Sequence, residues 1–340
     1  MSKRLILISF PIILLAGIYF IGPEPDRPEW DSAKISVPVD PDALERHIAD
    51  QNSMHRLKPD NEARIVWADS SRKKTEYSVV YIHGFSASQE EGDPVHEEFA
   101  KKFGCNLYLA RMADHGIDTT EQLLYFTADR WWKSSREALA IGRALGDKVI
   151  IMSTSTGGSM ALALAAEYPT EVFALMNMSP LIALNDPLAW LGPTPWGLQI
   201  GRLVKGRYLA PSMTPGTDTT LFYRYWNRTY RLEAGIQLTE MVNSKMNKET
   251  FEKIVAPSLT LYYFKNEQEQ DQTVKVSAIL EMHKQLGTAD SLKVAIPIPN
   301  AGDHVLGSHV VSKDIESVNR AVMQFAIEKL HMKPVADKIR

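Results

Sequence analysis

Short apolar runs rich in β-branched and aromatic residues alternate with longer helical segments over most of this 340-residue chain. The runs predict strands at residues 63–68, 77–82, 106–110, 148–152, 173–178, 259–264 and 292–298. The segments between them predict helices at about residues 41–51, 95–103, 128–145, 157–168, 274–286 and 314–330. Parallel strands need crossovers of this length, so the alternation predicts an α/β fold with a mostly parallel central sheet flanked by helices. Polar residues 70–75 predict a hairpin-like turn between the first two strands.

The charge and the cysteine content exclude several classes of function. The net charge is −3, and lysine and arginine residues are spread along the chain without long runs, so the basic footprint of a nucleic-acid-binding protein is missing. Cys105 is the single cysteine of the chain. We therefore expect no nucleic-acid partner, no disulfide framework and no cluster of thiolate metal ligands.

An uncharged apolar run from Leu5 to Ile21 follows Lys3 and Arg4 at the N-terminus. The run is longer than a usual signal-peptide core and is at the short end for a membrane-spanning helix. We expect residues 1–22 to be an uncleaved membrane anchor, with the rest of the protein on the extracytoplasmic (periplasmic) side. Two alternatives stay open: a signal segment whose cleavage releases a secreted protein, and an apolar helix that packs on the domain.

The proline and aromatic content divides the remaining chain. Four prolines predict a linker over residues 23–39, followed by one α/β domain over residues 40–340. Within that domain, residues 180–230 carry six of the nineteen prolines and eight of the thirty aromatic residues. This composition predicts a helical cap inserted at about residues 181–255. The large aromatic residues of the cap either line a substrate pocket or form a small second core: Trp190, Trp196 and Trp226.

Ser155 stands between a predicted strand and a predicted helix, in the sequence Ser153-Thr154-Ser155-Thr156-Gly157-Gly158. A nucleophilic serine on a tight strand-to-helix turn needs small residues two positions before and after it, because the backbone is crowded there. Ser155 alone among the serines has a glycine two positions later, although Ser153 replaces the usual first glycine. We predict Ser155 as a catalytic nucleophile. The alternative is a segment rich in serine, threonine and glycine that only caps the helix.

A second candidate segment, His83-Gly84-Phe85-Ser86, directly follows the predicted strand that ends at Ile82. Acyl transfer develops negative charge on the former carbonyl oxygen, so two N–H donors must be in place to form an oxyanion hole. Thr156 follows the nucleophile and supplies one donor, and Phe85 in this earlier loop is placed to supply the other. His83 is expected to brace the loop rather than to act as the catalytic base.

Five motifs together resemble the α/β-hydrolase family, in particular its lipase, esterase and monoacylglycerol-lipase-like branch. They are His83-Gly84-Phe85, Arg111 to Gly116, Ser153 to Gly158, Asp271-Gln272-Thr273-Val274 and Gly302-Asp303-His304. The resemblance covers residues 77–330 and implies the α/β-hydrolase fold. It also implies that the catalytic residues follow the chain order Ser…Asp…His, with the acid on the loop after a late strand.

Asp271 is the predicted acid within that order. Glu267 and Glu269 lie in the same loop, but Asp271 begins the family's Asp-x-x-Val pattern and has the shorter side chain, with less freedom to lose. We interpret the two glutamates as solvated charges. The alternative for Asp271 is that it only caps the helix that follows.

His304 is the predicted base. It lies in a loop between the last predicted strand and the last predicted helix. The three other histidines after the acid are less suited. His283 and His331 fall in predicted helices, and His309 is less well placed. His115-Gly116 resembles a turn of the family, and no second cluster completes a metal site with His115. We therefore predict no metal.

Together these residues predict a serine hydrolase that cleaves carboxylic esters of an acyl or lipid-like kind. His304 would take the proton of Ser155, Asp271 would orient the imidazole, and water would hydrolyse the acyl-enzyme without a cofactor. The predicted partners are a small-molecule acyl ester and, through the N-terminal segment, a membrane. Two alternatives stay open: an amidase or peptidase of the same fold, and a non-catalytic relative that binds lipids or a partner.

Overall fold

A computed structural model describes residues 17–335 of the chain. The helices are α1 (Pro41–Ser53), α2 (Val95–Phe103), α3 (Ala128–Leu145), α4 (Thr156–Glu167), α5 (Gly197–Lys205), α6 (Thr219–Tyr225), α7 (Leu232–Lys245), α8 (Lys248–Glu252), α9 (Val276–Gln285) and α10 (Ile315–Glu328). The strands are β1 (Arg64–Val66), β2 (Thr75–Ile82), β3 (Asn106–Leu109), β4 (Gly146–Thr154), β5 (Val172–Met178), β6 (Tyr208–Leu209), β7 (Tyr230–Arg231), β8 (Ser258–Tyr262) and β9 (Lys293–Pro297). Each strand and helix predicted between residues 41 and 330 has a counterpart whose ends differ only slightly.

Seven strands form one sheet in the order β1-β3-β2-β4-β5-β8-β9. Neighbouring strands pair in parallel, except that β1 runs antiparallel to β3. The predicted hairpin at residues 70–75 is wrong, because β3 lies between β1 and β2. Polar residues allow a chain to turn, but they do not decide which strand it pairs with afterwards. The strands β6 and β7 form a separate antiparallel pair.

The sheet separates two hydrophobic cores, one on each face. Val79 and Tyr81 of β2 belong to the core that α2 and α10 cover, whereas Val80 and Ile82 belong to the core covered by α3, α4 and α9. This division follows from the strand geometry, in which successive side chains point to opposite faces. Helices on both faces explain why the predicted strands are continuously apolar rather than alternating.

Loops at the carboxyl ends of the parallel strands carry the predicted site residues. His83 follows β2, Ser155 follows β4, Asp271 lies in the segment after β8, and His304 lies in the segment after β9. The carboxyl ends of parallel strands meet at one edge of a sheet, which is where open α/β sheets bind ligands. The topology therefore gathers these residues at one edge.

Residues 179–257 connect β5 to β8 and interrupt the α/β alternation. We call residues 181–255 the insertion; it contains α5 to α8 and the pair β6–β7. Its helix α7 is anchored in the main core, where Ala234, Leu238 and Met241 are buried with residues of α3 and α4. On α5, by contrast, Leu203 and Val204 are exposed. The insertion is thus fixed to the sheet on one side and open to solvent on the other.

The predicted anchor, residues 1–22, lies mostly outside the described part of the chain. Within residues 17–335, no helix has both the length and the apolar character needed to cross a bilayer. The predicted linker, residues 23–39, contains no helix or strand and lies along α3. There the Trp30 ring meets Trp132 edge to face at 5.5 Å, and Asp31 pairs with Arg136 at 3.0 Å.

Candidate active site

Ser155 lies on a sharp turn between β4 and α4. Its backbone has φ 54° and ψ −117°, a conformation that costs a non-glycine residue about 1–3 kcal/mol and persists only where the surrounding structure holds it. The N–H of Ser155 donates to the carbonyl of Met178 at the end of β5, at 3.0 Å. Gly157 cannot carry a side chain, since a Cβ there would stand 2.0 Å from the carbonyl oxygen of Ile82. The turn therefore holds Ser155 at the carboxyl edge of the sheet.

Ser153 occupies the position of the usual first glycine of such a turn. Its hydroxyl donates to Oδ1 of Asn177 on the neighbouring strand β5, at 2.7 Å. Both side chains are buried. The hydroxyl is therefore satisfied inside the sheet, and the serine fits where the pattern favours glycine.

His304, which is partly buried, forms a pair with the buried Asp271. His304 Nδ1 lies 2.6 Å from Asp271 Oδ2. Burial lowers the pKa of His304, but the charge and hydrogen bond of Asp271, with smaller contributions from Asp303 and Glu91, raise that pKa above its ordinary value. With Nδ1 donating to Asp271, the lone pair of the neutral ring is on Nε2. Nε2 is buried and has no hydrogen-bond partner among residues 17–335.

The second carboxylate oxygen of Asp271 fixes the loop that carries it. Oδ1 accepts the N–H groups of Thr273, at 2.8 Å, and Val274, at 3.0 Å. The helix α9 begins only at Val276, with Lys275 as its N-cap. Asp271 therefore does not cap that helix; it closes a turn with one oxygen and leaves the other for His304.

The loop after β2 is braced by two buried histidines. His83 Nε2 accepts the N–H of Met112 at 3.1 Å, and Nδ1 donates to the carbonyl of Gly84 at 2.8 Å. His115 Nε2 accepts the N–H of Ser86 at 2.9 Å. Burial lowers the pKa of His83 well below its ordinary value and the pKa of His115 to about 3, so both rings are neutral acceptors. The prediction that His83 braces this loop is confirmed.

Phe85 lies between these two braces. Its N–H has no acceptor among the described residues. Thr156 is the first residue of α4, where backbone N–H groups have no partner within the helix. Both residues line the same cavity as Ser155 and His304. The structure thus brings the two predicted oxyanion donors to the predicted nucleophile and base.

The cavity that these residues line has a volume of about 360 Å³. Buried polar atoms that line it and lack a hydrogen-bond partner in the described part of the chain are Ser86 Oγ, Thr156 Oγ1 and His304 Nε2. No hydrogen bond within residues 17–335 joins Ser155 Oγ to His304. Catalytic bonds of this kind are often long before substrate binds and tighten in the reacting complex.

A second cavity of about 170 Å³ lies inside the insertion. It shares three lining side chains with the first cavity, namely Leu184, Tyr230 and Leu238. The rest of its lining is mainly apolar and comes from α5, α7 and the segment before α5: Leu188, Leu191, Ile200, Val204, Leu232 and Ile236. The two cavities are therefore neighbours; polar side chains of Ser155, Thr156 and His304 line part of the first, and the second is mainly apolar.

The three tryptophans of the insertion have different environments. Trp226 is buried and lines the first cavity. Trp190 is 63% exposed, and Trp196 donates through Nε1 to the carbonyl of Ile18 at 2.9 Å. Trp226 therefore agrees with the pocket-lining alternative, whereas a small core formed by all three tryptophans is wrong, because Trp190 is exposed. Their composition gives no information on the direction of each side chain, which the path of the chain decides.

Glu91 is a residue of the cavity that the sequence analysis missed. It lies in a short 3₁₀ turn after β2, is 3% exposed and lines the cavity beside Ser155. A Glu-Glu pair in a loop predicts solvated charges. The signal that could have found Glu91 is its short distance in sequence from His83-Gly84.

The other histidines after Asp271 do not line the cavity. His283 lies in α9, as predicted. His331 is not helical, which corrects the prediction: α10 ends at Glu328, and the positive φ of 54° at His331 is incompatible with a helix. His309 is half exposed and pairs with Asp93, with 3.2 Å between Nδ1 and Oδ2.

Two groups of side chains outside the cavity have the donor types of metal ligands. Ligand atoms of Glu90, Asp93 and His309 lie within 4.8 Å of one another, and so do those of Asp93, His96 and Glu97. These side chains do not line the cavity. They are thus separate from the Ser155 site.

Solved structures resemble this chain, whereas no protein-family model and no curated protein matches it. A structure from work on the metagenome-derived lipolytic enzymes LipS and LipT has a TM-score of 0.64 and 17% identity, covering 79% of this chain and 98% of that chain. The monoacylglycerol lipase of Paleococcus ferrophilus has a TM-score of 0.57 and 16% identity, and the match covers 78% of this chain and 98% of that chain. A soluble variant of the monoglyceride lipase of Saccharomyces cerevisiae, bound to a substrate analogue, has a TM-score of 0.54 and 14% identity. This match covers 78% of this chain and 90% of that chain.

At these identities the likeness shows the fold. This chain has the α/β-hydrolase fold, and its structural neighbours include lipases, esterases and monoacylglycerol lipases. The predicted fold class is confirmed.

Proposed function

We propose that this protein is a serine hydrolase of carboxylic esters, with Ser155 as nucleophile, His304 as general base and Asp271 as the acid behind it. The observation that carries the proposal is the His304–Asp271 pair. Its 2.6 Å contact leaves Nε2 as an unpartnered base in the cavity that Ser155 lines. A buried acceptor without a donor lowers stability, so its place beside a strained serine turn favours a chemical role.

The first step would form an acyl-enzyme. His304 Nε2 takes the proton of Ser155 Oγ as the oxygen attacks the ester carbonyl, and the imidazolium is stabilised by Asp271. The negative charge then rests on the former carbonyl oxygen, which the N–H groups of Phe85 and Thr156 would hold. The imidazolium gives its proton to the leaving alcohol as the ester C–O bond breaks.

The second step would return the enzyme to its starting state. Water attacks the acyl-enzyme carbonyl while His304 takes one of its protons, and the oxyanion again rests on Phe85 and Thr156. Ser155 leaves with the proton held by His304, and a carboxylic acid is released. The steps require the neutral form of His304 at the start, so its pKa sets the pH range of activity.

The two neighbouring cavities support an acyl substrate. The ester group would lie at the polar end, near Ser155, and the acyl chain would pass Leu184, Tyr230 and Leu238 into the apolar cavity of the insertion. Each buried methylene contributes about 0.8 kcal/mol, which is nearly fourfold in affinity. We therefore propose that the insertion acts as the cap that selects the acyl chain. The structural neighbours that are monoacylglycerol or monoglyceride lipases agree with such a substrate.

An amidase or peptidase of the same fold is the second candidate, since it would use the same residues. A panel of p-nitrophenyl esters and matched anilides of increasing acyl length, assayed with wild type and His304→Ala, distinguishes the candidates. We expect hydrolysis of the esters, a marked preference for esters over anilides, and a loss of about 10⁴ or more in the His304→Ala variant. Equal rates on anilides would favour the amidase. A folded wild-type protein without activity on either would favour the non-catalytic alternative.

We also propose that residues 1–22 tether the enzyme to a membrane, with the catalytic domain on the extracytoplasmic side. The support is the apolar run after Lys3 and Arg4. The end of this run lies against the insertion, where Trp196 bonds the carbonyl of Ile18, so a tether would hold both cavities near the bilayer. A C-terminal reporter that is active only outside the cytoplasm should give signal. Recovery of the full chain in the soluble cytoplasmic fraction would contradict the proposal.

A further inference from the structure

Glu91 connects the insertion to the loop that would form the oxyanion hole. Its Oε2 accepts the N–H of Gly84 at 2.5 Å, and its Oε1 accepts the indole N–H of Trp226 at 3.3 Å. Gly84 directly precedes Phe85, so the bond to Glu91 fixes the orientation of the peptide group next to the predicted oxyanion donor. Trp226 belongs to the insertion and stacks on Phe222 with ring centroids 4.7 Å apart.

The Glu91 carboxyl group lies close to the nucleophile. A Cβ built on Gly84 would stand 2.8 Å from Glu91 Oε2 and 3.0 Å from Ser155 Cβ. The carboxyl group and Ser155 therefore meet on the same side of Gly84, and both line the cavity. This second carboxyl group is one that the mechanism of Ser155, His304 and Asp271 does not use.

We infer that Glu91 is a positioning residue that holds the His83–Gly84 peptide, the one before the Phe85 donor, and couples this loop to Trp226 of the insertion. The inference rests on the proposed function, because it assigns Glu91 a part in the same reaction. An oxyanion donor acts only if it points at the place where charge develops, so a carboxylate that fixes the preceding peptide acts on the transition state more than on substrate binding. Glu91 thus affects kcat rather than KM.

The charge of Glu91 also affects the pKa of His304, the proposed base. Burial raises the pKa of Glu91 to about 7, against the lowering effects of the Gly84 N–H, His304 and Trp226. The other ionisable groups that face it are Asp303, from the loop of His304, and Tyr81 on β2. The negative form of Glu91 in turn contributes to the raised pKa of His304. Removing that charge should let His304 lose its proton at a lower pH.

The test compares Glu91→Gln with Glu90→Gln. Glu90 is the neighbour on the same 3₁₀ turn, is also buried and has its pKa raised to about 7 by burial and by Asp93, but it does not line the cavity. A glutamine at 91 has one carbonyl oxygen and one amide NH₂, so it cannot accept both N–H groups. We expect kcat of Glu91→Gln to fall about 100-fold, the loss typical of a missing oxyanion donor. KM should stay within about threefold.

Two readouts separate positioning from a merely structural role. The acid limb of the pH–kcat profile should move to lower pH in Glu91→Gln and stay in place in Glu91→Asp, which keeps the charge but shortens the side chain. Trp226→Phe, which keeps an aromatic ring but loses the indole N–H, should lower kcat less than Glu91→Gln does. The fold-loss of kcat in the double variant should be smaller than the product of the two single fold-losses. Both substitutions break the same series of contacts, which runs from Trp226 through Glu91 to Gly84.

The outcomes are distinguishable. Glu90→Gln should retain wild-type kcat, and thermal unfolding should show that Glu91→Gln is folded. The inference is overturned if Glu91→Gln keeps the wild-type kcat, if its loss appears in KM, or if its acid limb does not move. If wild type and Glu90→Gln neither hydrolyse esters nor react with a fluorophosphonate, the proposed function itself fails.

Discussion

The 2.6 Å contact between His304 Nδ1 and Asp271 Oδ2 joins residues that are 33 positions apart in the chain. It connects the loop after β9 to the loop after β8, and these strands are neighbours in the sheet. Asp271 is held by its own turn through the N–H groups of Thr273 and Val274. The carboxylate is therefore held by its own loop, independently of the imidazole. Its contact with Nδ1 then orients the ring of His304.

Asp271→Asn should lower kcat about 10⁴-fold. The amide does not select the histidine tautomer with the lone pair on Nε2, and it does not stabilise the imidazolium. Steady-state kinetics on a short acyl ester checks the loss. The matched control is Glu269→Gln in the same loop, an exposed residue that pairs with Lys265; its kcat should equal that of wild type. A loss of less than tenfold in Asp271→Asn would contradict the role of Asp271.

The pH–kcat profile of the wild type should have an acid limb above the ordinary histidine pKa of about 6.5. The sign follows from the structure: Asp271, Asp303 and Glu91 raise the pKa of His304 despite its burial. The base must be neutral, so activity appears as pH rises through this raised value. Initial rates at constant ionic strength measure it. An acid limb below about 6 would contradict the raised pKa of His304.

His115 should make the folded protein sensitive to acid. Burial lowers its pKa to about 3 in the folded state, whereas the unfolded chain takes up a proton near pH 6.5. The stability that His115 provides is therefore complete above pH about 6.5 and is lost as pH falls toward about 3. His115→Gln can still accept the Ser86 N–H through its amide oxygen, and its melting temperature should fall less steeply over this range.

Thermal unfolding at a series of pH values tests this difference. The control is His331→Gln, since His331 is exposed and lies three residues after the end of α10; its pH dependence should match that of wild type. Parallel curves for His115→Gln and wild type would show that the buried ring is not the source of the acid sensitivity.

Gly235→Leu should shorten the preferred acyl chain. Gly235 lies on α7 and lines the apolar cavity, and a Cβ there meets only Leu209, at 3.3 Å. A leucine would fill the space that we assign to the distal acyl chain, so kcat/KM should fall at least tenfold for long esters and stay constant for acetyl esters. Gly235→Ala adds one methyl group and serves as the control. A uniform change across all chain lengths would mean that this cavity does not bind the acyl chain.

The sequence predicted the sheet and the turn at Ser155 because local patterns determine them. Continuous apolar runs mark strands that are covered on both faces. Gly157 marks the point where α4 lies so close to β2 that an added Cβ would stand 2.0 Å from the carbonyl oxygen of Ile82. The pairing of β1 with β3 could not be predicted in this way. Strand order depends on contacts between distant segments, and no local pattern encodes it.

The sequence also missed the part of the site that depends on side-chain direction. Glu91 is a loop carboxylate like its neighbour Glu90, and only the fold turns one toward Ser155 and the other toward His309. Likewise, Trp226 lines the cavity whereas Trp190 is exposed. Composition predicted an aromatic insertion, but the path of the chain decides which rings line the cavity.

The most direct test of the account is covalent labelling of the nucleophile. Wild type, Ser155→Ala and the neighbouring control Ser153→Ala are treated with a fluorophosphonate and analysed by intact mass and peptide mapping. The account predicts one adduct on wild type, located at Ser155, one on Ser153→Ala if that variant keeps its fold, and none on Ser155→Ala. An adduct that persists on Ser155→Ala, or that maps to Ser153 or Ser86 in wild type, would contradict it.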